Sequence, residues 1–390
     1  MTTQRFVSST VQKVPPSGIR KFFDIASEMK DCVSLGVGEP DFDTPWNIRE
    51  SAIYALESGR THYSSNHGGT ELRKAISEYL DFRFGLSYDI KQVIVTVGAS
   101  EGLDLAFRAI MNPGDDIITP SPSYVAYMPG ISFAGGNPVP MALREEDRFI
   151  ITPEILKAAV TKKSKAIIIA FPNNPTGAIM TKEDYEKIAP IIIENDLLVI
   201  SDEIYAELTY GAKHFSIASL PGMQERTVVI NGFSKAFAMT GFRLGFAAGP
   251  KPLIDAMVKI HQYSMLCAPS ISQDAGVEAL RYECSHKFCQ VKAMVAEYNR
   301  RRRLMHGAFN DMGLSCFEPL GAFYVFPNIS STGLTADEFC TRLLYEKKVA
   351  CVPGTAFSDN MNNFIRCSYA TSLEKIKEAI VRIKSFVESL

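Results

Sequence analysis

The sequence predicts an α/β protein. A large domain carries a mostly parallel sheet flanked by helices, and a smaller α+β domain follows. Three observations point to this. Short β-rich runs alternate with longer helical patterns over roughly residues 48–280, as in a parallel sheet covered on both faces. Lys165–Phe171 (KAIIIAF) is apolar without alternation, as a strand buried on both sides should be. After about residue 280 the texture changes to a mixture of strands and charged helices.

Taken in chain order, Val93–Val97 reads as a strand and Glu101–Met111 as the helix after it. Asp116–Thr119 and Lys165–Phe171 are strands, and Lys182–Asn195 is a helix. Leu197–Ser201, Thr227–Asn231 and Gly245–Ala248 are further strands. Beyond them, Ser285–Asp311 reads as one long charged helix. Phe323–Phe326, Val349–Val352 and Phe364–Tyr369 read as strands, with helices at Ala336–Glu346 and from Leu373 onward. The segment containing Pro15-Pro16-Ser17-Gly18 reads as an arm. The expected division is an arm with part of the small domain over 1–47, the large domain over 48–284 and the small domain over 285–390.

Composition excludes several functions. In 390 residues, 41 Lys and Arg face 43 Asp and Glu, for a net charge of −2. A dedicated nucleic-acid binder would need a basic stripe, and no nucleic-acid partner is expected. Apolar residues make up 46% of the chain, so it is not disordered. The apolar runs fall far short of the ~18 residues of a membrane span, and Met1–Ser17 is too polar and proline-broken for a signal peptide. A cytoplasmic protein with reduced thiols is expected. The eight cysteines include no CxxC pair, so no metal site is expected. Cys284 and Cys289, with His286 between them, read as buried free thiols. The four arginines Arg300–Arg303 read as a solvated or ion-paired helix face.

The chemistry lies at the strand ends, where open α/β sheets bind ligands. Gly98-Ala99-Ser100-Glu101 follows the first strand and opens a helix, and Pro172-Asn173-Asn174-Pro175-Thr176-Gly177 follows the KAIIIAF run. Ser201-Asp202-Glu203-Ile204-Tyr205 and Asn231-Gly232-Phe233-Ser234-Lys235 close the next two strands. Each alone could be an ordinary turn. Together they place a lysine, a carboxylate, a phenol and an amide on one rim. A lysine that can form a Schiff base, a carboxylate that can hold a pyridine nitrogen protonated, and a helix start that can bind phosphate suggest pyridoxal 5'-phosphate.

The stretch from Ser234 through Lys235 and Arg243 to Gly245 resembles the pyridoxal-lysine motif of the class I/II aminotransferases, of fold type I. Asn174-Pro175-Thr176-Gly177, Ser201-Asp202-Glu203-Ile204-Tyr205, Gly36-Val37-Gly38-Glu39-Pro40-Asp41-Phe42 and Arg366-Cys367-Ser368-Tyr369-Ala370 resemble the family's other motifs, in family order from about Pro16 onward. The resemblance implies a seven-stranded sheet and a homodimer with shared active sites. Lys235 would carry the cofactor and, once released, act as general base at the substrate Cα. Asp202 would pair with the pyridine nitrogen, while Tyr205 and Asn174 would hydrogen-bond the ring oxygen. Ala99, Ser100, Ser234 and Arg243 would hold the phosphate. Tyr124 would stack on the ring, and Tyr63 would reach the partner's phosphate. Arg366, with Gly38 and Asn174, would bind the substrate carboxylate.

Specificity is less marked. Dicarboxylate-specific relatives carry a lysine at the position of Ser100 or an arginine near His261–Ser264, and this chain has neither. The pattern is most similar to the prokaryotic aromatic and broad-specificity branch, with 2-oxoglutarate as an expected acceptor. Ile19, His261 and Tyr263 are candidate pocket residues, and Phe323 is a weaker one. Two alternatives stand beside transamination. A β-lyase of the same fold would commonly carry histidine at the position of Tyr205. A non-catalytic regulator would carry an N-terminal DNA-binding domain.

Overall fold

The computed structural model describes residues 3–16, 18 and 28–390. Ile19, a candidate pocket residue, lies outside them. The strands are β1 (Val33–Ser34), β2 (Val93–Thr96), β3 (Asp116–Ser121), β4 (Asn137–Ala142), β5 (Ser164–Ala170) and β6 (Leu198–Asp202), then β7 (Thr227–Gly232), β8 (Gly245–Ala248), β9 (Tyr324–Val325), β10 (Val349–Ala350), β11 (Val352–Pro353) and β12 (Ile365–Ser368).

Seven of them form one sheet in the order β2-β8-β7-β6-β5-β3-β4. β8 is antiparallel to both of its neighbours, and the other pairings are parallel. The isoleucine run in β5 shows why the strand sits centrally. Ile167 and Ile169 enter the core under helix Lys182–Glu194, while Ala166, Ile168 and Ala170 enter the core with Leu103 and Phe107 of helix Gly98–Ile110. Successive side chains leave a strand on opposite faces, so an unbroken apolar run fits only a strand covered twice.

β4 was not legible in the sequence. Pro138 and Pro140 remove two backbone donors, which argues against a strand in a sheet interior. The structure places β4 at the sheet edge, paired to β3 alone, where proline is tolerated. The long helix expected over Ser285–Asp311 runs from Cys289 to Asp311. A turn of His286, Lys287 and Phe288 parts it from the preceding helix Ser270–Ser285, and Lys287 and Phe288 both have left-handed φ (55° and 59°). Neither is a residue that announces such a turn.

The remaining strands lie in a second unit. β1 pairs in parallel with β10, and β11-β12-β9 form an antiparallel sheet. The residues just before the first motif therefore pack with the C-terminal part of the chain: Val33 and Leu35 share a core with Phe339, Ile383 and Phe386. Three of the four arginines in the run are ion-paired. Arg301 bonds Asp41 and Glu297, Arg302 bonds Glu318, and Arg300 bonds Glu297. Cys316, Cys340, Cys351 and Cys367 are buried thiols, whereas Cys289 is exposed and Cys284 half-buried, against expectation. No His, Cys, Asp and Glu cluster of metal-binding size exists among the described residues.

Candidate active site

The carboxyl ends of β2, β3, β5, β6 and β7 share one rim. A cavity of about 530 Å³ opens there, bounded on its far side by β9, β12 and the turn at Gly38. Every residue expected to hold the cofactor or the substrate carboxylate lines it except Tyr63, which is 82% exposed on this protomer's surface.

Lys235 stands after β7 on a loop tied to the entry of β8. Phe233 is fully buried, and its amide donates to Leu244 O. The Lys235 amine donates to Gly38 O at 2.6 Å. Burial pushes its pKa down to about 8, with Arg366 and Arg243 adding to the fall and Glu39 and Asp202 opposing it. Near neutral pH an appreciable fraction is therefore the free base, the form that attacks carbonyls and takes protons.

Asp202 ends β6 and is buried. Tyr127 donates to its Oδ2 at 2.7 Å and the Ile204 amide to its Oδ1 at 3.2 Å. Burial raises the carboxyl pKa, and these two donors hold it down. Tyr124 lines the same wall, edge-on to Tyr127 with ring centroids 5.6 Å apart. The sequence reading missed Tyr127, although it lies only three residues after Tyr124, at the start of helix Tyr127–Phe133.

At the end of β2 the chain turns through Gly98, φ +75°. A Cβ there would stand 2.8 Å from Arg243 Nη2, and one at Gly245 would stand 2.5 Å from the Ala99 amide. Two glycines thus let a guanidinium and a helix start close on the same space, with Ser100 and Ser234 beside it. Arg243 donates to Thr240 O at 2.9 Å and forms no ion pair among the described residues. Glu101 braces the turn. It accepts from the Val97 amide at 2.5 Å and pairs with His261 Nδ1 at 2.7 Å. His261 is thereby a buried support outside the cavity lining, and Tyr263 is 86% exposed. Neither lines the cavity of this protomer, contrary to expectation.

Asn174 follows β5. Its neighbour Asn173 is spent on the loop, accepting from the Thr176 hydroxyl at 2.9 Å. Asn174 Oδ1 instead accepts from Arg366 Nη1 at 3.0 Å. Arg366 comes from β12, donates to Gly36 O at 2.6 Å, and keeps Nε buried without a partner. Its guanidinium lies against Tyr324 and Phe357, 4.5 and 4.9 Å from the ring centroids. Phe323 is fully buried behind the wall, and its neighbour Tyr324 faces the cavity. Phe323 sits in the turn before β9, and the strand begins at Tyr324. The Tyr324 and Tyr205 hydroxyls are 2.9 Å apart.

Such a cavity handles an amine and organic anions together: two guanidinium groups without carboxylate partners flank a lowered lysine and a buried carboxylate. Residues 30–383 match the aminotransferase class I and II family. The aspartate aminotransferase of Pyrococcus abyssi is 48% identical over 97% of both chains. Aromatic-amino-acid aminotransferase 2 of Thermococcus litoralis is 44% identical over 98% of both. The crystal structure of an aromatic aminotransferase from Pyrococcus horikoshii superposes with a TM-score of 0.90 at 45% identity, covering 95% of this chain and 99% of that one. The chain belongs to the class I and II aminotransferases. It is a transaminase of fold type I.

Proposed function

We propose that the enzyme moves an amino group between an L-amino acid, aromatic or of broad type and with aspartate among the candidates, and a 2-oxo acid such as 2-oxoglutarate. The cycle is ping-pong and uses pyridoxal 5'-phosphate. The working form is a cytoplasmic homodimer in which Tyr63 reaches the partner's site. The observation that carries the reading is the lowered amine of Lys235 in one cavity with buried Asp202 and the free guanidinium groups of Arg243 and Arg366.

The residues fit the cofactor. The turn at Gly98, open to Arg243 because no Cβ intervenes, with Ala99, Ser100 and Ser234, suits a phosphate. Asp202 suits a protonated ring nitrogen. Tyr205 and Asn174 suit the ring oxygen, and Tyr124 suits the ring face. Bound there, the cofactor supplies the aldehyde and the electron-withdrawing ring. Lys235 provides the amine that carries it and, once freed, the base that moves the proton at the substrate Cα. Arg366 takes the substrate carboxylate through a planar pair of donors, and Gly38 leaves the backbone open beside it.

Relatives named for aspartate and for aromatic amino acids support both donor classes. The test is a panel of amino donors against 2-oxoglutarate, with the absorbance of the bound cofactor followed through a half-reaction. Amino transfer from aromatic donors is expected. Pyruvate and ammonia from cystathionine without any amino transfer would overturn the reading in favour of a lyase.

A further inference from the structure

We infer that Tyr324 is a positioning residue that points the Tyr205 hydroxyl proton into the cavity. The inference rests on the pyridoxal phosphate reading above. The two hydroxyls are 2.9 Å apart, and both residues are buried. A phenol has one proton, so only one member of such a pair donates to the other. If Tyr205 donated, it would turn a lone pair toward a ligand oxygen, and the Tyr324 proton would have no acceptor among the described residues. If Tyr324 donates, both protons are used and Tyr205 keeps its own for an oxygen anion.

The charge beside Tyr324 favours the second arrangement, and the packing around it fixes where its hydroxyl sits. The Arg366 guanidinium lies 4.5 Å from the Tyr324 ring centroid, and a cation beside a phenol makes its hydroxyl the stronger donor. The Tyr324 hydroxyl also occupies a slot that exists only because residue 38 is glycine. A Cβ on Gly38 would stand 2.7 Å from that oxygen. Gly38 therefore has a second use besides backbone access. A chain of two phenols ending on an anion strengthens each of its bonds.

The experiment compares binding of pyridoxal phosphate and of 3-deoxypyridoxal phosphate, which lacks the ring oxygen, to the apoprotein by fluorescence quenching. Tyr324→Phe should weaken pyridoxal phosphate about fivefold, the worth of one hydrogen bond, and leave the deoxy ligand unchanged. Adding Tyr205→Phe should weaken it no further than Tyr205→Phe alone, since one bond acts through the other. Gly38→Ala, which crowds the hydroxyl without removing it, should show the same selective loss. Equal losses for both ligands, no loss, or additive losses would overturn the inference. A wild-type protein that binds the two ligands equally would instead sink the placement of Tyr205 at the ring oxygen.

Discussion

The Tyr127 hydroxyl donates to Asp202 Oδ2 at 2.7 Å in the cavity wall, and both residues are buried. Burial drives the carboxyl toward its neutral form, and this donor opposes it. Tyr127→Phe removes a bond to a charged acceptor, worth ~1.5–3 kcal/mol. The folded pKa of Asp202 then rises further, and ionised Asp202 is lost at higher pH than before. The acid limb of the kcat profile should move upward by about one pH unit or more, with the alkaline limb unmoved.

Lys235→Ala should abolish turnover together with the visible absorbance of lysine-linked cofactor. In the wild-type apoprotein, the rate of cofactor capture should rise with pH and level off above about 8, where the amine is neutral. Stopped-flow absorbance measures this. A capture rate still climbing steeply at pH 10 would contradict the lowered amine.

Arg366→Ala should raise KM for amino acid and oxo acid alike by roughly 100-fold, from ~2–5 kcal/mol for removing one partner of a buried charge pair. Because Arg366 also donates to Asn174 and Gly36 O, Arg366→Lys should restore little of it: an ammonium lacks the planar fork. An unchanged KM for every substrate would count against the role.

Gly98→Ala places a Cβ at φ +75° and 2.8 Å from Arg243. Stability should fall by ~1–3 kcal/mol, the range for backbone held in a sparse region, read as a lowered urea midpoint. Phosphate affinity of the apoprotein should fall with it.

Mixed dimers of Tyr63→Ala and Lys235→Ala chains should regain activity through one site built from each chain's intact residue. Homodimers of either variant supply the baseline, and no gain above it would argue that Tyr63 serves its own protomer.

The sequence was most informative where one physical cause dominated. The Ile167–Ile169 run marked a strand covered on both faces, and strand ends carrying Asn174, Asp202 and Lys235 marked the rim. It was silent where the partner lay far along the chain. Tyr127 matters because of Asp202, 75 residues on, and Tyr324 because of Tyr205, 119 residues back. His261 was misread for the same reason: its partner Glu101 lies 160 residues away. Nothing local distinguishes a histidine facing a ligand from one bracing a helix start.

The bonds of Arg366 also bear on how the molecule is made. It closes contacts with Gly36 and Asn174, 330 and 192 residues distant in the chain. Loops that long cost entropy to close before their contacts reward it. A nascent chain can finish much of the seven-stranded sheet while its carboxylate-binding corner does not yet exist. Appearance of substrate affinity during refolding should therefore lag behind recovery of secondary structure, making activity a late clock for maturation.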